Sequence, residues 1–227
     1  MGFILAIDGP AGAGKSTVSK LAAERLGFAL VDTGAIYRCV ALLAAERGID
    51  WTADAELGAL ARSMRIEFEL QADLNRVRLF GRDVTDLIRA PEISRAASAV
   101  SARPSVREGL LDLQRRLARE VSGGAVLEGR DIGTVVFPEA DQKVFLTASP
   151  EVRARRRFEE LCERGAAVSF DEVLADQLAR DREDETRAIA PLKPAPDAVL
   201  VDSTGLPAAA VVERIVDLVR HVQRRQS

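Results

Sequence analysis

Eight residues near the start of the chain have the types and spacing of a phosphate-binding loop. They are Gly9, Pro10, Ala11, Gly12, Ala13, Gly14, Lys15 and Ser16, which match the pattern G-x-x-x-x-G-K-[ST] in full, and Thr17 follows. The glycines allow a tight turn whose N–H groups point at an anion, and the following helix N-terminus adds partial positive charge. Lys15 is expected to reach the β- and γ-phosphates, and Ser16 to ligate Mg²⁺. Residues 9–17 therefore predict binding of a nucleoside triphosphate with Mg²⁺.

Arginines that could stabilise a transferring phosphoryl group are concentrated between residues 153 and 187. Phosphoryl transfer depends on positioning and on cations that stabilise charge in the transition state. Taken singly, Arg153 and Arg164 are expected to lie on a solvated helix face. The arginines of this stretch are Arg153, Arg155, Arg156, Arg157, Arg164, Arg180, Arg182 and Arg187.

A general base is not evident in the sequence. A phosphate monoester acceptor has a second pKa of ~6, so it is already largely a dianion at neutral pH and needs no base. A hydroxyl acceptor would need one, and Asp8 or Asp32 could then serve. The only histidine, His221, lies near the C-terminus and is not expected to take this role. The acceptor is thus left open between a phosphate and a hydroxyl group.

Two other classes of protein share the phosphate loop. A regulatory GTPase would add an early D-x-x-G switch and an N-K-x-D segment. The sequence D-S-T-G at 202–205 follows the last predicted strand instead, and N-K-x-D does not occur. A DNA-linked or motor ATPase would add a strand of four apolar residues ending in Asp, which residues 29–32 match weakly. The kinase interpretation is favoured, and the ATPase stays open.

The elements that must position these residues follow an alternating pattern. Short apolar runs typical of buried parallel strands alternate with segments of helical periodicity. This alternation predicts an α/β fold, a doubly wound, parallel five-stranded sheet of the P-loop NTPase type. The strands are predicted at 3–8, 29–32, 125–128, 143–147 and 198–202, and the helices at 15–26, 106–121 and 207–222.

The amino-acid composition limits the classes of partner, metal site and cellular location that we expect for the protein. The net charge of −3 argues against a general nucleic-acid binder. Cys39 and Cys162 are the only cysteines, too few with one histidine for a zinc cluster or a Cys/His nucleophile. The apolar runs are too short to span a bilayer, and Asp8 follows Met1 too closely for us to expect a signal peptide. We expect a cytoplasmic monomer whose partners are small molecules, with no nucleic acid and no membrane.

Five segments together resemble the bacterial cytidylate kinase family over nearly the whole chain. They are I-D-G-P with the following phosphate loop, D-T-G-A-I-Y-R at 32–38, G-R-D-I-G-T-V-V-F-P at 129–138, R-A-I-A-P-L at 187–192 and D-S-T at 202–204. The resemblance implies transfer of the ATP γ-phosphoryl group to the 5′-phosphate of CMP or dCMP. Three departures are Thr33, where Ser is common, Glu128, where Asp is common, and Ser16-Thr17, where Gly-Thr often occurs.

The resemblance also implies roles for particular residues. Arg38, Arg130 and Arg187 would bind the acceptor phosphate, a task suited to the guanidinium fork. Ser98, Arg107 and Asp131 would read cytosine, whose amine can donate to a carboxylate. Thr33, Arg180 and Asp184 would complete the acceptor site. The catalytic set would be Lys15, Arg130, Arg156 and Arg187.

Two stretches interrupt the alternation and predict a three-part organisation. Residues 34–103 contain a helix and two alternating segments at 65–70 and 76–80, which predict a small antiparallel hairpin. Residues 151–187 are helical and charged, with Gly165 as a break. By the resemblance, residues 1–33, 104–150 and 188–227 form the core, 34–103 a nucleoside-monophosphate-binding insert, and 151–187 a lid that excludes water on closure.

Overall fold

A five-stranded parallel sheet forms the framework of the computed structural model, which describes residues 2–71, 74–163 and 165–226. Its strand order is β2-β6-β1-β7-β8, with β1 (Phe3–Asp8) in the centre. The other strands of this sheet are β2 (Ala29–Asp32), β6 (Gly124–Gly129), β7 (Gln142–Thr147) and β8 (Val199–Asp202). The predicted α/β fold and its five strands are confirmed. Every residue of β1 and β6 is buried, as their uninterrupted apolar runs predict.

The parallel register brings several strand ends to the same edge of the sheet. Asp8 at the end of β1 is opposite Phe145 of β7, and Thr147 of β7 is opposite Asp202 of β8. Ligands of open α/β sheets bind beyond the carboxyl ends of the strands. The loop that follows β1 therefore lies where a ligand site is expected.

The chain divides into two compact units. The first unit contains Gly27–Leu127 and the first residues up to Phe3. In it, α2 packs against α3 and α4, and α3 packs against α5. Its helices are α2 (Thr33–Glu46), α3 (Asp54–Ser63), α4 (Pro91–Ser101) and α5 (Pro104–Arg119).

A small antiparallel sheet in the first unit takes the place of the predicted two-stranded hairpin. Strands β3 (Ile66–Gln71) and β4 (Leu74–Leu79) pair as expected, with Ile66 opposite Leu79. A third strand, β5 (Arg82–Asp83), pairs with β4 after a turn at Phe80 and Gly81. Both turn residues have positive φ, 51° and 80°, which allows the tight reversal. The two-residue strand is too short to be recognised from sequence periodicity.

The second unit contains Ile4–Leu26 and Glu128–Ser227. In this unit α1 (Lys15–Leu26) packs against α8 (Ala208–Gln226), and α6 (Pro150–Glu163) against α7 (Phe170–Thr186). The predicted break at Gly165 is confirmed, since this residue has φ +76° between α6 and α7. Ser169 starts α7 with a capping box to Glu172. The three-part organisation into core, insert and lid stays a prediction.

The described helices, those within residues 2–71, 74–163 and 165–226, include none that is both long and apolar enough to cross a membrane.

Candidate functional site

The phosphate loop connects β1 to α1, as its sequence pattern predicts. Two of its glycines are required by their surroundings. A side chain at Gly9 would place Cβ 1.9 Å from the carbonyl oxygen of Leu146. Gly12 has φ +72°, and its Cβ would lie 2.9 Å from the carbonyl oxygen of Arg153. The loop is therefore packed closely against β7 and α6, which fixes its backbone N–H groups.

Lys15 is the first residue of α1 and is buried. Its Nζ donates to the carbonyl oxygen of Pro10 at 2.8 Å, which folds the side chain back over the loop. Burial lowers the pKa of Lys15 to about 7, and the Arg130 guanidinium lowers it too, while Glu128 and Asp8 oppose the shift. A phosphate anion beside the amine favours its charged form. The predicted phosphate lysine thus has the position and the electrostatics for binding an anion.

Ser16 and Glu128 form an oxygen pair beside Lys15. The Ser16 hydroxyl donates to Oε2 of Glu128 at 3.0 Å, and Glu128 is buried at the end of β6. Hydroxyl and carboxylate oxygens are the ligands that Mg²⁺ prefers, so the pair fits the predicted metal. The sequence did not identify Glu128 as a site residue. The signal that could have identified it is a carboxylate near the end of a buried apolar strand.

Two arginines of α6 bind the backbone of the phosphate loop. Arg156 Nη1 donates to the carbonyl oxygen of Ala13 at 3.3 Å and to Ser203 Oγ at 3.1 Å. Arg153 Nη1 donates to the carbonyl oxygen of Ala11 at 3.0 Å, and Nε to that of Ala148 at 2.9 Å. Arg153 is 5% exposed, so the expectation that it lies on a solvated helix face is wrong. The buried carbonyls and Asp181, 2.7 Å from Nη1, satisfy its guanidinium instead. Arg164, for which the same expectation was made, lies outside the described residues.

A cluster of opposite charges joins the turn after β6 to α7. Arg130 Nε donates to Asp184 Oδ2 at 2.8 Å, and Arg187 Nη1 to Asp184 Oδ1 at 3.4 Å. Burial would raise the pKa of Asp184, but Arg130 and then Arg187 and Arg180 outweigh it and hold that pKa below its ordinary value. Burial and Arg130 lower the pKa of Arg180, and Asp184 opposes them. Four of the predicted acceptor residues are therefore brought together in the second unit.

Asp131 begins a turn of π-helix at Ile132–Val136 that sequence periodicity did not predict. Its side chain is 6% exposed, and its carbonyl oxygen accepts from the N–H groups of Val135 and Val136 at 2.9 and 3.2 Å. The turn leaves Asp131 next to Arg130, at the end of β6. Turns of this kind are common at functional sites.

The remaining predicted acceptor residues lie in the first unit. Asp32 caps α2 by accepting from Ala35 N at 2.8 Å, and it also pairs with Arg38 at 2.8 Å. Arg107 donates to the carbonyl oxygen of Ser101 at 2.9 Å, with its guanidinium 5.5 Å from the ring centre of Tyr37. Residues Thr33 and Ser98 lie on α2 and α4, Thr33 buried and Ser98 half-buried.

The fold and the phosphate loop together define a P-loop nucleotide-binding protein. A solved structure of an uncharacterized protein from Eubacterium ventriosum ATCC 27560 shares this fold, with a TM-score of 0.54 at 11% identity over 96% of this chain and 98% of that one. The family model for cytidylate kinase matches residues 5–221. The chain belongs to the cytidylate kinase family.

Curated relatives agree with this family over almost the full length. A cytidylate kinase from Geobacter sulfurreducens is 53% identical over 98% of this chain and 95% of its own. Another from Desulfitobacterium hafniense is 51% identical over 94% of this chain and 91% of its own.

Proposed function

We propose that the protein transfers the γ-phosphoryl group of ATP to the 5′-phosphate of CMP or dCMP, giving ADP with CDP or dCDP. Membership of the cytidylate kinase family supports this activity. The observation that carries it in the site is the arrangement around Lys15. Arg130, assigned to the acceptor phosphate, lies close enough to Lys15, assigned to the donor phosphates, to lower its pKa.

The donor side of the reaction rests on the phosphate loop. Its N–H groups and Lys15 would bind the β- and γ-phosphates and offset the charge that develops as the phosphoryl group moves. Arg153 and Arg156 fix the loop by binding its carbonyl oxygens. Catalysis of this kind needs groups that are already in place, because reorganising them during the reaction costs free energy.

The acceptor side rests on the charge cluster of the second unit. Asp184 holds Arg130 and Arg187 through hydrogen bonds, so both guanidinium groups are oriented before a phosphate arrives. The acceptor phosphate is largely dianionic at neutral pH, so one of its oxygens can attack without a general base. Phosphate acceptance thus removes the need for Asp8 or Asp32 as a base.

Mg²⁺ is part of the proposal, with Ser16 and Glu128 as the residues that would hold it. Bound there, the ion would neutralise charge on the donor phosphates. The cytoplasmic location, the monomeric state and the roles of Thr33, Arg38, Ser98 and Arg107 stay predictions.

An assay with several acceptors tests the proposed activity. ADP formation from ATP is measured with CMP, dCMP, UMP, AMP, GMP and shikimate in turn. We expect the largest kcat/KM values with CMP and dCMP. Turnover of shikimate but of no nucleotide would contradict the proposal in favour of a hydroxyl kinase, and ATP hydrolysis without any acceptor would favour an ATPase.

Replacing Asp131 by Asn should change the choice of base. A carboxylate accepts from the exocyclic amine of cytosine, whereas the Asn amide can donate to the O4 atom of uracil. We expect kcat/KM for CMP to fall about 10–100-fold and the ratio of UMP to CMP turnover to rise. The ratio is measured with ATP saturating, and Asp131→Ala should also lose the preference for CMP. A preference for CMP over UMP and AMP that survives Asp131→Ala would rule out the base-reading role.

Replacing Glu128 by Gln should weaken binding of Mg²⁺. Gln can still accept from the Ser16 hydroxyl, but it lacks the negative charge that attracts the ion. We expect the Mg²⁺ concentration for half-maximal binding of a non-hydrolysable ATP analogue to rise about tenfold, measured by calorimetry. Glu24→Gln, on the exposed face of α1, is the control and should not change it. An unchanged Mg²⁺ requirement in Glu128→Gln would exclude Glu128 from the metal site.

A further inference from the structure

Asp8 is a buried carboxylate to which the proposed reaction gives no task. It ends β1, directly before the phosphate loop, and is 5% exposed. Both of its oxygens accept hydrogen bonds from backbone N–H groups more distant in the sequence: Oδ1 accepts from Ile132 and Oδ2 from Gly133, each at 2.8 Å. Each oxygen of the carboxylate therefore has a hydrogen bond to the same backbone turn.

That turn directly follows two of the predicted acceptor residues, Arg130 and Asp131. Ile132 and Gly133 open the π-helical turn, and Asp131, which precedes it, makes no side-chain cap to it. The first N–H groups of a helical turn need an acceptor from elsewhere, and Asp8 supplies it. Arg130 and Asp131 lie immediately before the two anchored N–H groups.

Gly133 lies close to the side chains of Lys143 and Asp8. A Cβ on Gly133 would lie 3.1 Å from Cδ of Lys143 and 3.5 Å from Asp8 Oδ2. The contact with the Lys143 side chain would be tight, whereas the one with the Asp8 carboxylate would be an ordinary van der Waals contact. Burial raises the pKa of Asp8 to about 6 and Asp131 adds to this, whereas the two N–H groups and Lys15 oppose it. The ionised form predominates above that pH, and an anion is the stronger acceptor of N–H bonds.

We infer that Asp8 is a positioning residue for the acceptor: its carboxylate anchors the turn at 132–136 and so holds Arg130 and Asp131 in place. The inference rests on the proposed function, because it takes Arg130 and Asp131 as acceptor-binding residues. The inference predicts different effects on the acceptor site and on the phosphate loop. Loss of the anchor weakens acceptor binding and base choice, while the phosphate loop keeps its own contacts through Lys15, Arg153 and Arg156.

The substitution Asp8→Asn tests this inference. Asn keeps the shape of Asp but can accept only through Oδ1, so one N–H group loses its acceptor and meets an amide donor. Hydrogen bonds to a charged group contribute enough that we expect KM for CMP to rise about 10–100-fold. The ratio of CMP to UMP turnover should fall as well. The dissociation constant of a non-hydrolysable ATP analogue should stay within about threefold of that of the wild type.

Asp141→Asn is the matched control, because it removes the same kind of bond at the other end of the same strand. Asp141 Oδ2 accepts from the N–H of Ile4 at 2.7 Å, and its Oδ1 accepts from Gln226 Nε2 at 3.2 Å. This variant should lose stability, seen as a lower Tm, without a change in KM for CMP. Equal losses of CMP and ATP-analogue affinity in Asp8→Asn, or no loss of CMP affinity, would overturn the inference.

A measurement on the wild-type protein covers the case in which Asp8→Asn does not fold. Hydrogen exchange of the Ile132 and Gly133 amides is followed with saturating CMP and, separately, with the ATP analogue. We expect CMP to slow the exchange of both amides, since it stabilises the turn that Asp8 anchors. The ATP analogue should leave their exchange unchanged. Equal effects of both ligands, or none, would contradict the inference. If the wild type binds no CMP, the proposed function itself fails, and this outcome is distinct from the others.

Discussion

Lys15→Met should reduce kcat by about 10²–10³-fold while leaving the fold intact. Met keeps the length and the apolar stem of the side chain but cannot offset the charge that develops on the transferring phosphoryl group. The phosphate loop itself does not depend on the amine for its shape, because Arg153 and Arg156 hold its carbonyl oxygens. This variant should therefore lose activity while it keeps the fold.

The same variant should be at least as stable as the wild type near neutral pH. The pKa of Lys15 is lowered by burial to about 7 in the folded protein, from 10.5. Between these values the unfolded chain binds more protons than the folded one, so the free energy of unfolding rises with pH across this window. Below about pH 7, burial of the charged Lys15 lowers the free energy of unfolding by its full amount, and above about pH 10.5 this destabilisation is absent. Met removes it, so the gain in Tm should shrink as pH rises.

Lys20→Met provides the control for Lys15→Met. Lys20 lies on the same helix, with Nζ 3.9 Å from Glu24 and a more exposed side chain. It should keep wild-type turnover, measured as ADP formation with CMP. Thermal melts at several pH values between 7 and 10 follow the stability of both variants. Undiminished turnover in Lys15→Met would refute the role of Lys15, and a Tm gain that grows with pH would refute the electrostatic account.

Local sequence signals predicted the elements that carry the donor side of the site. β1 and α1 have the bounds that their apolar run and helical stripe predict, and the phosphate loop lies between them. Both signals depend on neighbours within a few residues, which a sequence displays directly. The break at Gly165 was predicted for the same reason.

The groups that hold the site in place could not be predicted in this way. Arg153 contacts the loop carbonyl of Ala11 across 142 residues, and Asp8 contacts Ile132 across 124. Such partners meet only in the folded chain, so Arg153, taken singly as a charged helix residue, was expected on a solvated face. The π-helical turn at Ile132–Val136 depends on the same kind of distant support, here from Asp8. Distance along the chain, more than residue type, separates what was predicted from what was missed.

Arg153→Met should cause the largest loss of stability among these variants. Arg153 and Asp181 form a buried ion pair of α6 and α7, with 6% and 10% of their side chains exposed. Removing the cation leaves Asp181 buried without its counter-charge, and Asp181 Oδ1 already has no hydrogen-bond partner among the described residues. Breaking a buried pair in this way costs about 3–5 kcal/mol. The free energy of unfolding, measured by denaturant titration, should fall by about this amount.

The double variant Arg153→Met/Asp181→Leu separates stability from positioning. Replacing both members of a buried ion pair by apolar residues is often neutral, so most of the lost stability should return. The carbonyl oxygen of Ala11 still lacks its donor, so the phosphate loop stays unanchored there and affinity for the ATP analogue should remain lower than in the wild type. Arg155→Met is the control, since Arg155 is exposed and its guanidinium lies 4.3 Å from the Phe170 ring centre, a contact that contributes about 0.5–1 kcal/mol.

Two outcomes of the double variant would contradict this account. If the double variant is as unstable as Arg153→Met, the unpaired carboxylate is not the cause of the lost stability. If it binds the analogue like the wild type, Arg153 does not position the loop.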